Sequence, residues 1–255
     1  MSLYEQGYRA EVTNYGQLNY VSTQEVIALL RLIQRGNVPD IVLFYDGIND
    51  VVSSHYNGEA GITKNEQARR EEFHLSWRPQ QLAWFWGKRV LPRYFWGFRR
   101  LVTGLQRRVR PQAAPLPMPI DDEVTRQTVR VYQANIAIVE SLGRSYGFDP
   151  LFYWQPTIFS KRHRSPHEQL WAERFSFMEP TYDATYRRIR GSEILNSHPR
   201  FYNISALLDD LEEPYYWDHG HVSETGNQRI AVAMVDDVIA LIEQRRVAAT
   251  GKAVR

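Results

Sequence analysis

Residues 41–45 read Ile-Val-Leu-Phe-Tyr, an unbroken apolar and aromatic run introduced by Pro39 and Asp40. A strand with one solvated face alternates polar and apolar side chains. A run without alternation suits a strand covered on both faces, as in a parallel sheet between helices. The flanking segments fit that architecture. From Thr23 to Gln34, Val26, Ile27, Leu29, Leu30 and Ile33 recur at helical spacing, Gly36 supplies a stop, and Ser22 with Glu25 reads as a capping box. Glu11 to Asn14 reads as a short strand ending at Tyr15-Gly16. Asp121 to Tyr146 predicts a long amphipathic helix with Val124, Thr128, Val131, Asn135, Ile138 and Leu142 on one face. Pro150 to Gln155 predicts a strand, 166–190 a helical stretch broken at Pro180, Phe201 to Ile204 a last strand, and Gly226 to Arg245 a closing helix. Strand-like and helix-like segments alternate throughout, which predicts an α/β domain of three layers (α/β/α) with a mostly parallel sheet.

Between Val52 and Pro119 the alternation stops for too long to be an ordinary connection, so 52–119 is expected to be a helical insertion within a single domain. Pro111, Pro115, Pro117 and Pro119 close it. Charge marks the same region. The whole chain of 255 residues carries a net +2, yet residues 73–110 hold nine Arg or Lys and no acid, leaving −7 on the rest. Four of the seven Trp, at 77, 84, 86 and 96, lie in this block. From Tyr94 to Arg110, Tyr94, Phe98, Leu101, Leu105 and Val109 share a helical stripe, with the arginines largely elsewhere. A basic amphipathic helix with interfacial aromatics suits an anionic membrane surface. It suits equally a lid over an acyl groove, or a cap packed on the main domain. No nucleic-acid-binding motif accompanies the charge, so no nucleic-acid partner is expected. The absence of cysteine from the sequence excludes disulfides, thiolate metal sites and a Cys nucleophile.

Two short stretches carry candidate chemistry. Gly47-Ile48-Asn49-Asp50 directly follows the apolar strand, where open α/β sheets bind ligands. Glycine permits a sharp turn, and an Asn amide can donate to a developing oxyanion. The same residues also suit a plain turn. Asp218-His219-Gly220-His221 precedes the closing helix. An Asp three residues before a His can accept the imidazole Nδ1–H, fix its tautomer and stabilise the imidazolium. A metal held by Asp218, His219 and His221 is disfavoured, because no further cluster has ligand spacing. A polar surface loop is the bland alternative.

Taken in order, Asn14-Tyr15-Gly16, Gly47-Ile48-Asn49-Asp50 and Asp218-x-x-His221 with Gly226-Asn227 resemble the second, third and fifth sequence blocks of the SGNH/GDSL hydrolases. The resemblance covers 11–51, about 121–160 and 200–245. It implies a flavodoxin-like α/β/α fold and ester-bond hydrolysis on acyl, lipid or carbohydrate esters by a Ser-His-Asp mechanism. His221 would be the general base, Asp218 the residue orienting it, and the Asn49 side chain and Gly16 N–H the oxyanion donors. No cofactor or metal is implied. The family's nucleophilic serine lies on an earlier Gly-x-Ser block that 1–255 does not contain. Ser22 reads as a helix cap, Ser53 and Ser54 follow the oxyanion motif, and Ser223 follows the histidine. The sequence is therefore expected to be an N-terminally truncated hydrolase with its nucleophile upstream. The competing expectation is a non-catalytic ligand- or membrane-binding module of the same fold.

Overall fold

A computed structural model describes residues 3–5, 7–64, 66, 69, 70 and 122–252, with backbone only from 248 onward. Among these residues the protein is mixed α/β, built on a parallel three-stranded sheet with the order β1 (Ile41–Asp46), β2 (Asp149–Trp154), β3 (Phe201–Asn203). Leu43 pairs with Leu151, and Phe152 with Phe201. The helices are α1 (Ser22–Gln34), α2 (Ile48–Asn57), α3 (Asp122–Tyr146), α4 (Pro166–Arg174), α5 (Glu179–Arg190), α6 (Glu193–Asn196) and α7 (Glu224–Lys252).

Strand alternation sends neighbouring side chains to opposite faces, and each face has its own cover. Phe44, Phe152 and Trp154 join Val26 and Leu29 of α1, Tyr132, Ile136 and Val139 of α3, and Tyr186 of α5 in the larger core. On the other face Leu151 and Tyr153 pack against Val238 and Leu241 of α7. The strand enclosed on both faces is β2, buried from Pro150 to Trp154. The outer edge of β1 pairs with no strand among the described residues, and Leu43 at its centre is 46% exposed.

Several expectations need correction. Glu11–Asn14 is not a strand but an exposed, unpaired stretch of chain. The α1 cap is Val21, whose N–H donates to Gln24 Oε1, rather than Ser22. Ser22 instead occupies the first helical position and is buried. Its N–H and hydroxyl both donate to the Asp50 carboxylate, and its hydroxyl accepts from Asn135 Nδ2. In α3 the inward face centres on Val129, Tyr132, Ile136 and Val139, while Ile138 points out and is exposed. Pro180 starts α5 rather than breaking a helix, since its missing N–H is harmless in a first turn. Val52–Asn57, placed in the insertion, continue α2. The rest of that insertion, including the basic block 73–110, lies outside the described residues apart from 58–64, 66, 69 and 70.

Candidate active site

The site forms where the C-terminal end of β1 meets the loop before α7. Gly47 caps α2 with φ of 134°, and a Cβ there would sit 3.1 Å from the Trp154 indole. Both the backbone angle and the close approach call for glycine. The turn is braced from β2: Gln155 Oε1 accepts from Ile48 N–H at 3.1 Å while its amide donates to the Tyr45 carbonyl at 2.9 Å. Asn49 therefore lies in the first turn of α2. It is half-buried, and its side-chain amide makes no hydrogen bond among the described residues.

Asp218 and His221 sit on a tight loop closed by an isolated antiparallel bridge between Tyr216 and Val222. Trp217 N–H donates to the His221 carbonyl at 2.8 Å, and Ser223 N–H to the Tyr215 carbonyl at 2.6 Å. Asp218 Oδ2 lies 2.8 Å from His221 Nδ1, and Oδ1 accepts from the N–H groups of Gly220 and His221. Partial burial would raise the Asp218 carboxyl, but these two N–H groups and the imidazole outweigh it, holding Asp218 ionised below the ordinary range. The His221 side chain is 77% exposed, and no serine hydroxyl among the described residues bonds to it. A Cβ on Gly220 would meet Ile48 Cγ2 at 3.0 Å, so this loop rests directly on the residue before Asn49.

The structure thus pairs Asp218 with His221 and sets their loop against Ile48, the neighbour of Asn49 in the chain; no contact of the Asn49 side chain with either residue is described. Gly16 does not join them through any described contact. It lies in the exposed N-terminal segment, where its N–H donates to Asn14 Oδ1 at 2.8 Å. His219 is a packing residue: its ring stacks on Phe175 at 3.9 Å, and burial, with some repulsion from His221 and Lys64, pushes its pKa down. No group of three or more His, Asp or Glu among the described residues is arranged to hold a metal ion. A cleft of about 790 Å³ lies elsewhere, between Leu3, Tyr4 and Tyr8 and the Ala231–Val235 stretch of α7. Among the described residues, no helix is long and apolar enough to cross a membrane.

Sequence reading missed Gln155, and it missed the buried Lys161–Glu168 pair behind the loop. Ser165-x-x-Glu168 carried a legible signal, a capping box that does form; Lys161 had none. Comparison with known proteins supplies no family: no protein-family model matches the chain, and no curated protein or solved structure is significantly similar to it.

Proposed function

We propose that this protein is a hydrolase of the SGNH/GDSL type, on a flavodoxin-like fold, acting on acyl, lipid or carbohydrate esters. The observation that carries the reading is the 2.8 Å Asp218–His221 pair on a loop resting against Ile48, the residue before Asn49. In the proposed reaction His221 takes the proton of a serine hydroxyl, and the serine oxygen attacks the ester carbonyl. Asp218 holds the ring and stabilises the imidazolium. The Asn49 amide donates to the tetrahedral oxyanion. The Gly16 N–H is the proposed second donor, a role that needs residues 14–16 to move to the site and Gly16 N–H to leave Asn14 Oδ1. His221 then returns the proton to the departing alcohol, and water, activated by the same ring, releases the acid. The proposed nucleophile is the serine of the family's Gly-x-Ser block, a role that none of Ser22, Ser53, Ser54 and Ser223 fits.

The test uses the protein as it occurs naturally, with any residues before Met1. A fluorophosphonate is expected to label one serine, and short-chain p-nitrophenyl esters to be hydrolysed. His221→Ala is expected to abolish turnover; normal hydrolysis by that variant overturns the reading. The lack of a serine bonded to His221 among the described residues favours a second reading, a non-catalytic ligand-binding module of the same fold. Folded natural protein that resists the phosphonate selects that module.

A further inference from the structure

Lys161 and Glu168 form an ion pair with both side chains 0% exposed, at 2.8 and 2.9 Å from Nζ to the two carboxylate oxygens. Such a pair is weak grounds for stability, because removing two charges from water offsets most of their attraction. Where its remaining bonds go is more informative. Lys161 Nζ donates a third hydrogen bond, to the Glu213 carbonyl at 2.5 Å. Glu168 Oε1 accepts from the N–H groups of Tyr215 at 2.8 Å and Tyr216 at 3.2 Å, and Oε2 from Ser165 N–H at 2.8 Å. Every donor of the ammonium is used. Three of the pair's four outside partners are backbone groups at 213, 215 and 216, the strand of chain entering the Asp218–His221 loop.

The loop's internal bonds begin where that clamp ends. Tyr215 and Tyr216, held by Glu168, are the residues whose carbonyl and bridge close the loop against Ser223 and Val222. From the far side, His167 of the same helix contacts the Trp217 carbonyl through Nε2 at 2.9 Å. Helix α4 and the residues before it therefore grip 213–217 at four backbone atoms. The dyad itself touches neither charge. We propose that the buried Lys161–Glu168 pair is the positioning device of the Asp218–His221 dyad, fixing the base of its loop and hence its placement against Ile48. The catalytic consequence rests on the hydrolase reading; the structural one does not.

Two charge-neutral double variants test this. Lys161→Met with Glu168→Leu removes the clamp without leaving a lone buried charge. Lys161→Met with Glu168→Gln keeps one carbonyl oxygen able to accept from Tyr215 N–H. Amide hydrogen exchange is read at Trp217, His221 and Ser223, none of which bonds to either mutated side chain, and at Leu151 and Tyr153 in β2. The expected result is exchange at least about tenfold faster at the three loop amides in the leucine variant, an intermediate rate in the glutamine variant, and unchanged rates in β2. With the natural protein, kcat for a p-nitrophenyl ester is expected to fall in the same order with KM little changed. Wild-type protection of the loop amides in either folded variant overturns the proposal. So does equal acceleration of loop and β2 amides, which would make the pair a general stabiliser. Should the leucine variant not fold, the glutamine variant carries the comparison alone. A protein without esterase activity but with selective loop exchange retires the hydrolase reading and leaves the clamp standing.

Discussion

His219 and His221 are two residues apart on one loop and have opposite environments. One ring is stacked on Phe175 and kept neutral by burial; the other is exposed and held by an ionised Asp218. The difference was partly legible in the sequence, because an Asp three residues before a His can bond it within one turn of chain. Asn49 was legible for a similar reason, following a glycine at the end of an apolar strand. Removing its amide is expected to lower kcat for ester hydrolysis by about 10²–10³ with folding retained, the usual effect of one oxyanion donor. Steady-state kinetics of Asn49→Ala in the natural protein checks this, and unchanged kcat would remove Asn49 from the site. Ser22 was misread because its true partners, Asp50 and Asn135, lie 28 and 113 residues away. A capping box is a local pattern, and nothing local revealed that the hydroxyl was committed elsewhere.

At the level of elements, β1, β2 and the long helices were legible from apolar runs and periodicity. The inward face of α3 was legible in part: Val124, Thr128 and Asn135 are buried as expected, but the helix meets α1, α2, β2 and α5 at once, so Thr125, Val129, Tyr132, Ile136 and Val139 are buried too while Ile138 is exposed. A helix covered on several sides buries more than the single stripe that a hydrophobic period marks out. The junction of α1, β1, α2 and α3 collects three carboxyls. Burial pushes Asp46 well above its ordinary range, Glu25 up to about 7 and Asp50 up to about 6, with Ser22 opposing the last. Glu25 and Asp46 disfavour each other's charge, which favours a proton shared between them, and the Asp46 Oδ2 and Tyr132 hydroxyl are buried there without a partner among the described residues. These carboxyls bind protons more tightly folded than unfolded, where they titrate at about 4. Their contribution to stability is therefore greatest below pH of about 4 and is lost as pH rises through about 6 to 7. Asp46→Asn, whose amide can donate to Glu25 without a shared proton, is expected to raise unfolding stability at pH 8 by about 1–3 kcal/mol and to flatten the decline between pH 5 and 8. Urea melts at both pH values measure it; parallel pH profiles for variant and wild type would rule the shared proton out.

For the whole molecule, the decisive property is the uneven distribution of charge rather than its near-zero sum. Nine cations within residues 73–110 face a remainder that carries −7, and four tryptophans accompany them. A uniformly mixed surface of net +2 would have little attraction for an anionic bilayer, whereas a segregated basic, aromatic segment combines electrostatic attraction with apolar insertion. In the hydrolase reading, membrane contact through this segment would bring the enzyme to lipid esters, whereas a lid or a packed cap would not. The protein is accordingly expected to co-sediment with vesicles containing about 30% phosphatidylserine at low salt and to be released by 0.5 M salt, roughly the range over which the screening length falls from 30 Å towards 4 Å. Replacing Arg99, Arg100, Arg107 and Arg108 by Gln is expected to abolish sedimentation while leaving the kcat for a soluble p-nitrophenyl ester unchanged. Absence of binding at low salt would assign the block to packing on its own domain. Binding that persists in the quadruple variant would instead place the membrane contact on the aromatic residues and the five cations that remain in the block.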